Sequence, residues 1–214
     1  MNIINVIYYA FKIITIRPRR YSNLLRIIFQ NKCKNIIEIG TFDGRHAFQM
    51  IKVASSFHPT SNIKYYGFDL FEQLTKEKFE EEYSKFPPPY SVVSNRLRKT
   101  GANIRLYIGD SGEKLIEYKD ELKEIDLVFI DGGHAIATIE LDWLNVQNIM
   151  SDKTIVIFDD YYYNDEDQIK GYGCNQIIDN LDPQKYKIEI LEPTDKFKKD
   201  WGILKVNMVK VGRK

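Results

Sequence analysis

With 214 residues, 43% of them apolar and 29% charged, the chain suits one soluble domain that buries its own core without staples. Thirty-one basic residues against thirty acidic ones leave a formal charge of +1, which excludes a global electrostatic pull toward nucleic acid or anionic membranes. The two cysteines, Cys33 and Cys174, stand too far apart for a zinc-type spacing or a disulfide framework.

The chain begins with an apolar stretch broken by Asn5 and Lys12, without the basic leader and cleavage site of a signal peptide and too short to span a bilayer. It reads as a helical segment, residues 1–34, that docks on the domain or forms a homodimer with a second copy. Membrane-surface docking through Arg17, Arg19 and Arg20 is the weaker reading, and a cytoplasmic location is expected. From residue 35 to 214 short β-rich runs alternate with helical stretches. Strands are expected at Ile36 to Ile39, Ile63 to Asp69, Ile104 to Gly109, Ile125 to Asp131 and Thr154 to Asp159, and Ala47 to Ala54 has helical spacing. Runs this rich in Ile and Val suit strands covered on both faces, so the class is α/β with a mostly parallel sheet. Tyr186 to Leu191 and Ile203 to Val211 are separated only by a loop, as in an antiparallel C-terminal hairpin, which makes seven strands. Between the second and third strands lie about thirty-five residues, with an acidic helix from Lys76 to Lys85, then Pro87-Pro88-Pro89, then Ser91 to Lys99. This stretch reads equally as a substrate cover or as a long helical crossover.

In open α/β sheets ligands bind beyond the carboxyl ends of the strands, so the residues that end each strand carry the chemistry. The first strand ends Glu38-Ile-Gly40-Thr41-Phe42-Asp43-Gly44, which lacks the Gly-x-Gly-x-x-Gly spacing of a nicotinamide dinucleotide site. Its acids repel a pyrophosphate and attract a cationic amino acid or sulfonium. The second ends at Asp69-Leu70, where a carboxylate can accept hydrogen bonds from both ribose hydroxyls, and the third at Gly109-Asp110-Ser111, where a polar turn can reach an adenine amino group. Helix capping is the plainer reading of each acid taken singly. The fourth and fifth end Asp131-Gly-Gly-His134 and Asp159-Asp160. If these strands are neighbours, three carboxylates converge, and hard oxygen ligands select Mg²⁺ or another divalent cation. Such an ion could lower the pKa of an acceptor hydroxyl, with His134 as general base; the alternative for His134 is a histidine satisfied at a helix start. Asp165, Glu166 and Asp167 read as a solvated loop.

These five motifs, in this order and spacing from about residue 35 to 180, resemble the class I S-adenosylmethionine-dependent methyltransferases. More narrowly they resemble the metal-dependent sugar O-methyltransferases typified by macrocin O-methyltransferase. The resemblance implies a Rossmann-like, doubly wound sheet with helices on both faces. It implies that Glu38, Gly40 and Gly44, with Thr41, Phe42 and Asp43, shape the methionine side of an S-adenosylmethionine pocket. Asp69, beside Leu70, would then hold the ribose; Gly109, Asp110 and Ser111 would border the adenine; and Asp131, Asp159 and Asp160 would match the metal-binding acids. Asp131 and His134 are the expected catalytic pair, and the acceptor is a hydroxyl on a sugar or other small molecule. Two rivals remain. A nucleic-acid methyltransferase would use Arg17 to Arg20 and Arg96, Arg98 and Lys99 as phosphate contacts, but Pro88-Pro89-Tyr90 is misplaced for a base-methylating motif and reads as a loop stiffener. A non-catalytic Rossmann-like binding module would keep the fold alone.

Overall fold

The computed structural model describes residues 2–82, 85–163 and 169–214, so Asp165, Glu166 and Asp167 lie outside the described residues. The strands are β1 (Asn35–Ile39), β2 (Lys64–Asp69), β3 (Asn103–Ile108), β4 (Leu127–Ile130), β5 (Ile155–Tyr162), β6 (Tyr186–Lys199) and β7 (Gly202–Arg213). They form one seven-stranded sheet in the order β3-β2-β1-β4-β5-β7-β6. β1 to β5 pair in parallel, and β7 runs antiparallel to both β5 and β6. The doubly wound, Rossmann-like sheet with an antiparallel C-terminal hairpin is therefore as the sequence indicates.

The helices are α1 (Ile3–Thr15), α2 (Tyr21–Asn31), α3 (Arg45–Ala54), α4 (Lys76–Glu81), α5 (Tyr90–Arg98), α6 (Ser111–Glu117), α7 (Ile136–Gln147) and α8 (Asn175–Asp179). Alternate side chains of each central strand enter opposite cores, as the twofold period of a strand requires. Ile36, Leu127 and Phe129 meet Leu24, Leu25, Met50 and Leu97 from α2, α3 and α5. Ile37, Val128 and Ile130 meet Leu115, Trp143 and Ile177 from α6, α7 and α8 on the other side. Both faces are covered, which is why these strands read as unbroken apolar runs.

Three departures from expectation have physical causes. α4 stops at Glu81 rather than Lys85, and Glu82 turns inward, only 3% exposed. β6 runs on to Lys199, past Pro193; an edge strand tolerates the missing N–H, and the register shifts between Leu191 and Asp195. The N-terminal segment is of two kinds. α2 is buried in the core through Leu24, Leu25 and Ile28, whereas α1 lies outside on α2 and α3, tied by the Asn5 side-chain amide donating to Ser55 Oγ at 2.8 Å.

Candidate functional site

A cavity of about 500 Å³ opens along the carboxyl ends of β1 to β5. Its floor is where the crossovers diverge on either side of β1 and β4, the switch point of a doubly wound sheet. At the β1 end, Gly40, Thr41, Phe42 and Asp43 line it. Gly40 has a φ of +88°, and a Cβ there would stand 2.1 Å from the Asp131 carbonyl oxygen, so only glycine lets the β1 and β4 loops close up. Gly44 is set back from the cavity, left-handed at the start of α3 and packed toward Val93.

Glu38 is also set back. It is 1% exposed and accepts a hydrogen bond from the Tyr65 hydroxyl beneath the cavity wall. Burial pushes its carboxyl up to about 8, against the opposing pull of that hydrogen bond, so the group is protonated at neutral pH. Desolvation thus works against the negative charge expected at this point. Asp43, which does line the cavity, is already paired with Arg45 at 2.7 Å and Arg96 at 3.6 Å.

Asp69 ends β2 facing the cavity and takes the Phe42 N–H at 2.6 Å on one oxygen and the Phe71 N–H at 2.9 Å on the other. These two bonds fix the carboxylate plane and leave outward lone pairs for a diol. Leu70, Gly109, Asp110 and Ser111 line the same end. Asp110 also caps α6 through the N–H groups of Gly112 and Glu113, so its capping role is present whatever else it does. The Ser111 hydroxyl donates to Asp142 at 2.6 Å, a carboxyl buried on α7 and pushed by burial up to about 7.

At the other end, β4 and β5 are neighbours, and Asp131, Asp159 and Asp160 bring ligand atoms within 4.8 Å of one another. Successive residues of a strand point to opposite faces, so Asp159 and Asp160 could not both reach one site from a regular strand. A bulge between Phe158 and Tyr161, with Asp160 left-handed at φ +59°, turns both carboxylates to the cavity.

The cluster holds groups that strand endings do not foretell. The Arg20 guanidinium, only 7% exposed, grips Asp159 with both arms: Nε to Oδ1 at 2.6 Å and Nη2 to Oδ2 at 2.7 Å. The Tyr21 hydroxyl sits 3.1 Å from Asp131 Oδ2 and 3.0 Å from Asp159 Oδ2. One hydroxyl proton cannot serve two carboxylates fully, so Asp131 and Asp159 compete for it. Burial, and then the charges of Asp159 and Asp160, push Asp131 well above the usual carboxylate range. Burial also works to raise Asp159, but Arg20 outweighs it and holds Asp159 low.

His134 Nδ1 donates to the Glu82 carbonyl at 2.8 Å, and Nε2 lies 3.1 Å from Asp160 Oδ2. Burial disfavours the imidazolium, yet the Asp160 hydrogen bond and charge prevail and push His134 up to about 9. His46, stacked on Tyr21 with ring centroids 3.9 Å apart, is pulled down by burial to about 4 and is neutral. The segment between β2 and β3 covers this end: Leu74, Lys78, Glu82, Lys85 and Pro87 line the cavity, and Glu82 accepts the Ala135 N–H at 3.0 Å.

A divalent ion on the three acids does not fit this arrangement. Their oxygen chemistry suits one, but Asp159 Oδ2 already takes both Nη2 and the Tyr21 hydroxyl and Oδ1 takes Nε, so an ion would compete with a buried guanidinium for this carboxylate. Arg20, Tyr21 and His46 were not among the expected site residues. The only sequence signal for Arg20 was a basic run, which suggested phosphate or membrane contact rather than an internal partner. Arg96, another expected phosphate contact, donates to the Asp43 carbonyl and stays part-exposed. Among the described residues no helix is long and apolar enough to cross a membrane.

The family model described as "Methyltransferase domain" matches residues 37–161. No curated protein matches the chain in sequence. Among solved structures it is similar to the O-methyltransferase TomG from Streptomyces achromogenes, involved in tomaymycin synthesis and in complex with SAM. That match has 11% identity and a TM-score of 0.62, covering 92% of this chain and 81% of that one. It is similar to an O-methyltransferase from Bacillus cereus in complex with SAH, at 12% identity and TM-score 0.61, covering 97% and 88%. An rRNA methylase from Streptococcus thermophilus matches at 12% identity and TM-score 0.63, covering 93% and 99%.

Proposed function

Because the chain belongs to the methyltransferase-domain family, we propose that it transfers a methyl group from S-adenosylmethionine to a hydroxyl oxygen of a small molecule, a sugar being the first class to test. The observation that supports this reading is one cavity lined by the Asp69 carboxylate at one end and by His134 beside Asp160 at the other. Gly40, Thr41, Phe42, Asp43, Asp69 and Leu70 would hold the methionine and ribose parts, and Gly109, Asp110 and Ser111 the adenine. Glu38 and Gly44 would act from behind that wall. The acceptor hydroxyl would enter beside Asp131, Asp160 and His134, in line with the sulfonium, so that the new C–O bond forms as the S–C bond breaks. Its proton passes to His134 Nε2, and Asp160 steadies the imidazolium that results. That step needs a neutral imidazole, which becomes common only as pH rises toward the value of about 9 set by Asp160. Asp131, bridged to Tyr21, would border the incoming oxygen.

The buried pairing of Arg20 with Asp159 removes one of the cations an RNA acceptor would have used. Calorimetry with S-adenosylhomocysteine tests the cofactor end. Micromolar binding is expected, with Asp69→Ala weakening it by about a hundredfold, or roughly 3 kcal/mol for a paired, partly buried carboxylate. No binding by the unaltered chain would sink the reading.

A second copy of the chain is the occupant we assign to the outer face of α1, where a cytoplasmic protein would otherwise leave Ile3, Ile7, Phe11 and Ile14 at 60–69% exposure. These recur at helical spacing on one stripe, which a twofold axis would set against itself. Sedimentation should show a dimer that Phe11→Glu dissociates; a monomeric parent protein would refute it.

A further inference from the structure

We infer that Arg20 is the resident cation of the β4–β5 acid cluster, standing where a divalent ion would stand, so that this chain's acceptor site works without a metal. The inference begins from geometry. A carboxylate and a guanidinium match fork to fork, and Arg20 uses this match on Asp159, spending both of its oxygens. Nη2 also lies 3.9 Å from Asp160 Oδ1, so one planar cation addresses both acids of the β5 bulge.

The guanidinium is not a surface side chain that has wandered in. Asp195, brought across by the register shift in β6, accepts the backbone N–H groups of Arg19 and Arg20, each at 2.8 Å. It also stands 3.4 Å from Arg20 Nη1. The Tyr21 and Phe197 rings flank the guanidinium carbon at 4.8 and 5.7 Å. Just beyond, α2 is locked into the core by Leu24, Leu25 and Ile28. Withdrawing the arginine would therefore mean undoing backbone bonds and a helix, not turning one rotamer.

A divalent ion held by Asp131, Asp159 and Asp160 would have to take oxygens already engaged and sit within a few ångströms of a like charge. The chemical consequence is specific. A guanidinium orders and neutralises carboxylates, but it has no empty coordination position for an acceptor oxygen. Activation of the hydroxyl is left to proton transfer at His134.

The test uses metal alone, read by the electron paramagnetic resonance of Mn²⁺ with the full chain. It therefore stands whether or not the methyl-transfer reading survives. The unaltered protein should leave Mn²⁺ free, while Arg20→Met should bind it at least about tenfold more tightly, through the acids the arginine had occupied. Adding Asp159→Asn to Arg20→Met should remove the gain. Arg20→Gln, which keeps an amide donor near Asp159 but no charge, serves if the methionine variant does not fold, and the same gain is expected. Tight Mn²⁺ binding by the unaltered protein that Asp159→Asn abolishes would overturn the inference. So would a folded Arg20 variant that binds Mn²⁺ no better than its parent.

Discussion

The two ends of the cavity are built by different means. At the β1–β2–β3 end Asp69 and Asp110 are held by backbone N–H groups a few residues away or from the next loop, as with Asp69 and the N–H groups of Phe42 and Phe71, while Asp43 and Ser111 reach side chains on α5 and α7. At the β4–β5 end the strand-following acids are only half of the site. The other half, Arg20 and Tyr21, arrives from a helix 139 and 138 residues away in sequence from Asp159. The first end can be assembled locally as the sheet forms. The second exists only when α2, β5 and β6 have all docked, because Asp195 on β6 positions the arginine. Local construction suits the proposed cofactor end, and the long-range lock gives the β4–β5 end its own charge balance.

This difference predicts opposite phenotypes for two aspartates. Asp159→Ala leaves the Arg20 guanidinium buried without its main partner, a change that costs about 3–5 kcal/mol when one side of a buried ion pair is removed. Asp69→Ala removes an acceptor from two backbone N–H groups at a partly open site, at a cost of about 1–2 kcal/mol. Urea unfolding should separate the two variants by a clear shift in midpoint. Of the two, the less stable Asp159→Ala protein should retain the greater share of S-adenosylhomocysteine affinity. Equal losses of stability would show that the acceptor end is not the lock described.

Legibility in the sequence follows the same division. The strands, their class and the endings Gly40, Asp69, Asp110 and Asp131 were readable, because buried parallel strands print as apolar runs and polar residues follow at the carboxyl edge, whereas Asp159-Asp160, expected to end the fifth strand, lies inside β5, which runs on to Tyr162. Convergence of Asp131, Asp159 and Asp160 was readable too, given β4 beside β5. The bulge that makes it possible was not, since no glycine or proline marks a left-handed Asp160. Nor was the pairing of Arg20: one arginine in a basic run carries no periodicity that names its partner. Glu38, expected to shape the cofactor pocket, lies behind its wall, and burial works against its charge. Charge depends on burial beside Tyr65, twenty-seven residues on, and not on the motif.

Glu38 supplies the smaller effect and the sharper question at the cofactor end. Burial raises its carboxyl from an ordinary glutamate value to about 8, so between these values the folded chain holds a proton that the unfolded chain has released. Stability from this group is then greatest at low pH and is lost as pH rises toward 8, with a slope of up to about 1.4 kcal/mol per pH unit. Glu38→Gln, neutral throughout, should remove that slope and be relatively more stable at alkaline pH, as read from urea midpoints across the range. An unchanged slope would mean that the carboxyl is ionised in place. The proton also distinguishes the two roles open to this residue. If the methionine ammonium of the cofactor settles near Glu38, its charge favours the carboxylate, and binding must expel the proton. The enthalpy of S-adenosylhomocysteine binding at neutral pH would then change with the ionisation enthalpy of the buffer, and the dependence would vanish in Glu38→Gln. A binding enthalpy indifferent to buffer would make Glu38 a packing partner of Tyr65, with Asp69 and the loop after β1 holding the cofactor alone.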